Sequence, residues 1–207
     1  MRRLIKFFTL ILMFFISSTV NAAIKGGVDY SIPIDYSKIN LEEAENKAGF
    51  YYNSAISTQS KEDISNALVL YTILNNKSPE NIIYPVRLGV LYDLSGKGRY
   101  AKGNFYKAIG INSAKPEPYF CLGEYYYKRE MYKKSLKMYK EAYARGYSNH
   151  YKTLYNMGDI YEKFGDTRSA LMYFLKASEI NPSEDLDRRI QHADELNSNN
   201  KAYYSEK

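Results

Sequence analysis

Leu154-Tyr-Asn-Met157-Gly158-Asp-Ile-Tyr161, followed by Ala170-Leu-Met-Tyr-Phe174, Ala177 and Asn181-Pro182, is the stretch that decides the fold. Leu154, Met157, Gly158 and Tyr161 stand at i, i+3, i+4 and i+7 and share one stripe of a helix. Ala170, Phe174 and Ala177 form the facing stripe of a second helix, antiparallel to the first. Gly158 and Ala170 have almost no side chain, so the two backbones approach closely, with Tyr161 and Phe174 filling the space on either side. Gly165-Asp166 between the stripes is turn chemistry. Pro182 ends the second helix because it cannot extend the hydrogen-bond ladder.

The same pattern recurs upstream. The third unit has Tyr119, Leu122-Gly123, Tyr126, Ser135, Tyr139 and Ala142, and Gly146 takes the place of the closing Pro as a helix C-cap. The second has Leu88-Gly89, Tyr92, Ala101, Phe105 and Ala108, with Pro85 in the first turn of its helix, where a missing N–H costs little. The first is degenerate, as terminal repeats are: Ala55 faces Ala67, Thr58 stands where the pattern has Tyr, and Pro79 closes the unit. The equivalent small residues Ala55, Gly89, Gly123 and Gly158 follow one another at intervals of 34, 34 and 35 residues.

These residues and spacings resemble the tetratricopeptide repeat (TPR) family over residues 48 to 182. The fold class that follows is all-α, a right-handed α-solenoid of about four TPR helix pairs with a C-terminal capping helix. The repeats are placed at about 48–81, 82–115, 116–150 and 151–184, inside a domain spanning 40–197. Asn40 is a plausible N-cap for a helix opening at Leu41-Glu-Glu-Ala44, with acids in its first turn. The cap, 184–197, carries Leu186, Ile190, Ala193 and Leu196 on one face and shields the stacking surface of the last repeat. Residues 198–207 are polar and Asn-rich and are expected to be a disordered tail.

Upstream of the domain, Arg2, Arg3 and Lys6 precede an apolar run from Phe7 to Ile16, and Val20-Asn21-Ala22 offers small residues at a cleavage position. Residues 1–22 are therefore expected to be a secretory signal peptide, too short in its apolar run for a span, and 23–39 an irregular leader. After cleavage no stable transmembrane span is expected, and the protein would be exported to a periplasmic, cell-surface or secreted location. Losing Arg2, Arg3 and Lys6 lowers the formal net charge from +6 to +3, which weakens a polyanion-binding reading. Cys121 is the only cysteine, so no internal disulfide forms; it reads as a small buried hydrophobe.

Motifs for chemistry are missing. Ser95-Gly96-Lys97-Gly98 lacks both the upstream Gly and the following Ser or Thr of a phosphate loop. His150 and His192 are far apart with no Cys or carboxylate at metal-ligand spacing and read as surface residues. Glu184, Asp185 and Asp187 crowd a helix start, where the macrodipole accounts for them. No catalytic residue, cofactor or metal ligand is assigned, and an enzyme is not expected.

A second row on the first helix of each pair is the candidate binding surface. It comprises Tyr52 and Ile56, Val86 and Val90, Phe120, Glu124 and Tyr127, then Tyr155 and Asp159. The TPR resemblance implies that this row lines a concave groove for a protein or peptide partner, apolar and aromatic at its N-terminal end and acidic at its C-terminal end. Packing between neighbouring repeats is the other role open to the same residues. A carboxylate clamp, which the family uses for chaperone C-termini, is excluded: its Lys, Arg and Asn positions hold Tyr52, Ile56, Arg87, Glu117 and Cys121, and only Arg87 fits.

The function expected is a non-enzymatic extracytoplasmic scaffold for a protein or peptide partner, in a cell-envelope assembly role. The alternative is an accessory module attaching to an anionic surface or polymer through Lys133, Lys134, Lys137 and Lys140 on the third repeat. Glu124, Glu130 and Glu141 in the same repeat dilute that field, and no nucleic-acid partner is expected.

Overall fold

The computed structural model describes residues 40–205, all of whose regular structure is helical. Nine α-helices lie among the described residues: α1 (Leu41–Thr58), α2 (Lys61–Lys77), α3 (Ile83–Leu94), α4 (Gly98–Ile111), α5 (Glu117–Tyr127), α6 (Tyr132–Ala144), α7 (Tyr151–Lys163), α8 (Thr167–Ser178) and α9 (Glu184–Ser205). The expected signal peptide and leader lie outside the described residues. The chain divides into two compact units between Ala101 and Lys102, within α4.

In the first unit, α1 and α2 pack as a pair and α3 packs on α2. Asn40 caps α1 as its sequence position suggests, accepting from the backbone N–H of Glu42 (3.0 Å) and Glu43 (3.4 Å). Ala48, Ala55 and Ala67 are wholly buried and let α1 and α2 meet closely, while Tyr71, Leu74, Leu88 and Leu91 fill the core beyond them. Tyr84 Oη donates to Glu45 across α3 and α1, two elements 39 residues apart.

In the second unit the pairs α5–α6 and α8–α7 repeat one arrangement, and α9 packs on α8. A Cβ added at Gly158 would stand 2.6 Å from Phe174 Cδ1 and Cε1, and one at Gly123 would stand 2.6 Å from Tyr139 Cδ1 and Cε1. The small residue thus seats the aromatic ring directly over the helix, whereas the sequence placed Phe174 to the side of a Gly158–Ala170 contact. Ser135 serves as the small residue facing Gly123 and donates its hydroxyl to the Gly123 carbonyl (2.8 Å). Tyr161, expected in the core stripe, is half-buried and stacks on Tyr173 with ring centroids 5.5 Å apart.

Helix ends follow local chemistry. Gly165 turns the chain at φ 75°, and Asp166 caps α8 by accepting from Ser169 N–H (3.1 Å). The last turn bond of α8 runs from Asn181 N–H to Ala177 C=O (3.0 Å), immediately before Pro182, which has no N–H to continue it. Gly146, at φ 126°, follows the α6 C-cap residue Arg145 and leads into a 3-10 turn at Tyr147–Asn149. The expected boundary of the cap differs: α9 continues through the segment read as a disordered tail and ends at Ser205. Once its first half is docked, adding residues to an existing helix is far easier than nucleating one, so a polar sequence can extend it.

Candidate functional site

The row read from the sequence divides between the two units, and each part has its own character. In the first unit Tyr52 is buried, edge-on to Tyr71 at 6.0 Å, with the Arg87 guanidinium 4.0 Å above its ring. Val86 and Val90 are half-buried, Val90 against the core cluster. Ile56 on α1 is 46% exposed. The first unit therefore presents Ile56, Val86 and Val90 as its accessible part of the row, beside a fixed cation.

In the second unit the row is held in a network of hydrogen bonds and ring contacts. Phe120 lies among the rings of Tyr139 (5.9 Å), Tyr147 (5.8 Å) and His150 (4.7 Å). His150 stacks on Tyr147 at 4.3 Å, and its Nδ1 is 2.9 Å from Thr153 Oγ1, so it is a half-buried member of this cluster and not the surface residue expected. Burial, with the Lys152 charge, holds its pKa below the ordinary histidine value against the opposing pull of Glu124. Tyr147 is pushed up to about 12 by burial and by its neighbours Glu117 and Cys121.

Glu124 accepts from the Tyr139 hydroxyl and from Asn156 Nδ2 (2.5 Å), which also lies 2.8 Å from Tyr139 Oη. Burial and the Glu124 charge drive the Tyr139 phenol far above its usual range, so it stays a donor at any ordinary pH. One repeat on, Tyr127 Oη donates to Asp159 Oδ2 (2.5 Å), and Arg189 Nη2 from α9 donates to Asp159 Oδ1 (2.5 Å) and to Glu162. Arg189 Nη1 also donates to Tyr155 Oη (2.9 Å), which in turn donates to Asp185 (2.9 Å). Asp159 is only 5% exposed. Its burial opposes ionisation, but Tyr127, Arg189 and Lys163 together hold its carboxyl below the usual carboxylate value.

This corrects the expected acidic end of the groove at Asp159, which offers no free negative charge because Arg189 and Lys163 pair with it. The donors to Glu124, the Tyr139 hydroxyl and the Asn156 amide, hold its carboxylate in place but are uncharged. Glu124, Tyr127, Tyr155 and Asp159 tie successive helix pairs together, the packing role that the sequence also allowed. Sequence reasoning missed Arg189, which is not among the apolar residues that marked the face of the cap, and it missed His150. A basic residue on the cap helix about one repeat beyond Tyr155 and Asp159 was the only signal. Among the described residues no group of His, Cys, Asp and Glu is arranged to hold a metal ion. The acids and phenols of the network are committed to one another, which suits them to fixing a surface in position.

In the second unit, helix pairs with an aromatic ring seated over a glycine, tied together through one row of side chains, define a fold of the TPR type. In agreement, residues 117–183 match the tetratricopeptide repeat model. The structure is similar to the crystal structure of MamA protein, with 19% identity, 74% of this chain and 84% of that one covered, and a TM-score of 0.57. It is also similar to YrrB, described as "a TPR protein with an unusual peptide-binding site", with 21% identity, coverage of 80% and 84%, and a TM-score of 0.56. The sequence matches no curated protein. At these identities the likeness concerns the fold.

Proposed function

We propose that this chain is a non-enzymatic scaffold, exported through residues 1–22 and cleaved before Ala23, whose first-helix row binds a protein or peptide partner in cell-envelope assembly. The observation that carries the reading is the row itself. Within the second unit its polar members are locked by Arg189, Asn156 and Tyr139, and within the first unit Ile56, Val86 and Val90 keep apolar surface accessible. A surface fixed before binding loses little entropy on binding, and this favours recognition of a flexible partner. The peptide-binding description of YrrB supports the same class of partner.

The test is capture from envelope extract with the mature protein, repeated with Ile56→Asp/Val86→Asp, whose folding circular dichroism checks. Both positions retain exposed surface, so the variant should fold and lose the captured partner. A folded variant that retains the partner at full strength would overturn the groove. N-terminal sequencing of the protein from fractionated cells tests the export: a mature chain beginning at Ala23 outside the cytoplasm is expected, and an intact cytoplasmic chain refutes it.

A further inference from the structure

The loops that join the helices of each pair in the second unit share a surface that the groove reading does not use. Residues 128–131 connect α5 to α6, and residues 164–166 connect α7 to α8. The two loops are neighbours: Lys163 Nζ at the end of α7 lies 5.5 Å from the Tyr132 ring centroid at the start of α6. Thr167 Oγ1 at the start of α8 donates to Asn197 Oδ1 (2.5 Å), bringing the later part of α9 to the same edge.

Two large apolar side chains stand out of this edge, Met131 at 42% and Phe164 at 45% exposed. Lys128, Arg129, Lys133, Lys134 and Arg168 lie within a few residues of them in the chain, against Glu130 and Asp166 and the exposed Asp194 and Glu195 of α9, while Glu162 is taken up by Arg189 and Lys163 pairs with Asp159 (3.6 Å). Lys133 and Lys134 occupy the first turn of α6, which has no acid and no side-chain cap. Cations there oppose the helix dipole and so add nothing to helix stability, although Lys134 Nζ lies 5.7 Å from the Tyr126 ring centroid. Apolar tips ringed by basic side chains suit the headgroup boundary of an anionic bilayer: cations meet lipid phosphates while the tips enter the acyl region. Among the described residues no helix is long and apolar enough to cross a membrane, so this would be attachment from one side.

We infer that the α5–α6 and α7–α8 loop edge is a peripheral docking surface for an anionic phospholipid bilayer, independent of the groove. The charge complementarity selects the occupant, and the exposed Met131 and Phe164 favour a bilayer over a soluble polyanion, which has no apolar interior to receive them.

The experiment is co-sedimentation of the mature full-length chain with phosphatidylglycerol–phosphatidylcholine vesicles and with pure phosphatidylcholine vesicles. Each lysine near an anionic surface contributes about a fivefold gain in partitioning. Lys133→Glu/Lys134→Glu should therefore lower binding by more than tenfold, and Met131→Ser/Phe164→Ser should also lower it severalfold. Lys115→Glu/Lys152→Glu, which changes the charge equally at the opposite helix ends, should leave most binding intact. Circular dichroism confirms that each variant is folded. The inference is overturned if the wild type ignores anionic vesicles or if the Lys115/Lys152 variant loses as much as the Lys133/Lys134 variant. It is equally overturned if the Met131/Phe164 variant binds vesicles like the wild type while heparin or single-stranded DNA is held more tightly.

Discussion

Replacing Gly158 by alanine tests the seating of the aromatic ring over the helix. The new Cβ would lie 2.6 Å from two carbons of Phe174, about 1 Å inside the ordinary carbon–carbon contact distance. Phe174 is fully buried, so the ring can move only by displacing its neighbours in the core. Overpacking of this kind costs about 1 to 3 kcal/mol, while alanine gains about 1 kcal/mol over glycine in helix propensity. The propensity contribution can be removed by comparison with Gly103→Ala, because Gly103 is also helical and a Cβ there meets nothing within 4 Å. The difference between the two variants then isolates the steric cost: Gly103→Ala stabilises by up to about 1 kcal/mol, and Gly158→Ala falls below it by about 1 to 3 kcal/mol. Urea melts followed by circular dichroism give both numbers, and Phe174→Leu in the Gly158→Ala background should recover part of the loss, a coupling expected of residues in contact. Equal stabilities for Gly158→Ala and Gly103→Ala would refute the reasoning.

Arg189→Met should lower stability by about 2 to 3 kcal/mol, since it leaves the buried Asp159 carboxylate with only the longer contact to Lys163 (3.6 Å); the denaturant midpoint measures it. Because the folded-state pKa of Asp159 is depressed, its contribution is complete above about pH 4 and is lost as the pH falls through the folded value. Melts between pH 2 and 7 should thus show a steeper acid limb for the wild type than for Asp159→Asn. His150 is also depressed, so its contribution is present above about pH 6.5 and declines as the pH falls towards its folded value. His150→Phe should flatten that part of the profile. Tyr127→Phe, which keeps the ring and removes the donor to Asp159, should cost about 1 to 2 kcal/mol, less than Tyr127→Ala.

The helix pairs were legible because each rests on local spacing. Gly123 and Gly158, with Tyr139 and Phe174 sixteen residues on, mark the close contact of their pair in the sequence alone. The state of the candidate row was not legible. That Asp159 is neutralised depends on Arg189, 30 residues away on another pair of elements, and no periodicity reports such a partner. His150 was misplaced for a similar reason: a polar residue in a linker reads as solvent-facing, yet it packs half-buried against Phe120 and Tyr147. The length of α9 was hidden by composition, because Asn-rich residues beyond Ser198 carry no apolar stripe.

The guanidinium of Arg189 also limits how this chain could grow. Repeat proteins lengthen by internal duplication, and a copy of α7–α8 inserted ahead of α9 would place a second α7 against the original Asp159. That helix carries cations only near its ends, at Lys152 and Lys163, and α5 carries none. The original Asp159 would then be buried without an arginine, a defect of several kcal/mol that a duplicated segment could not cure by itself. Arg189 therefore acts as a stop signal for the array, written in charge, and a longer relative would need a basic residue at the matching position of its added helix.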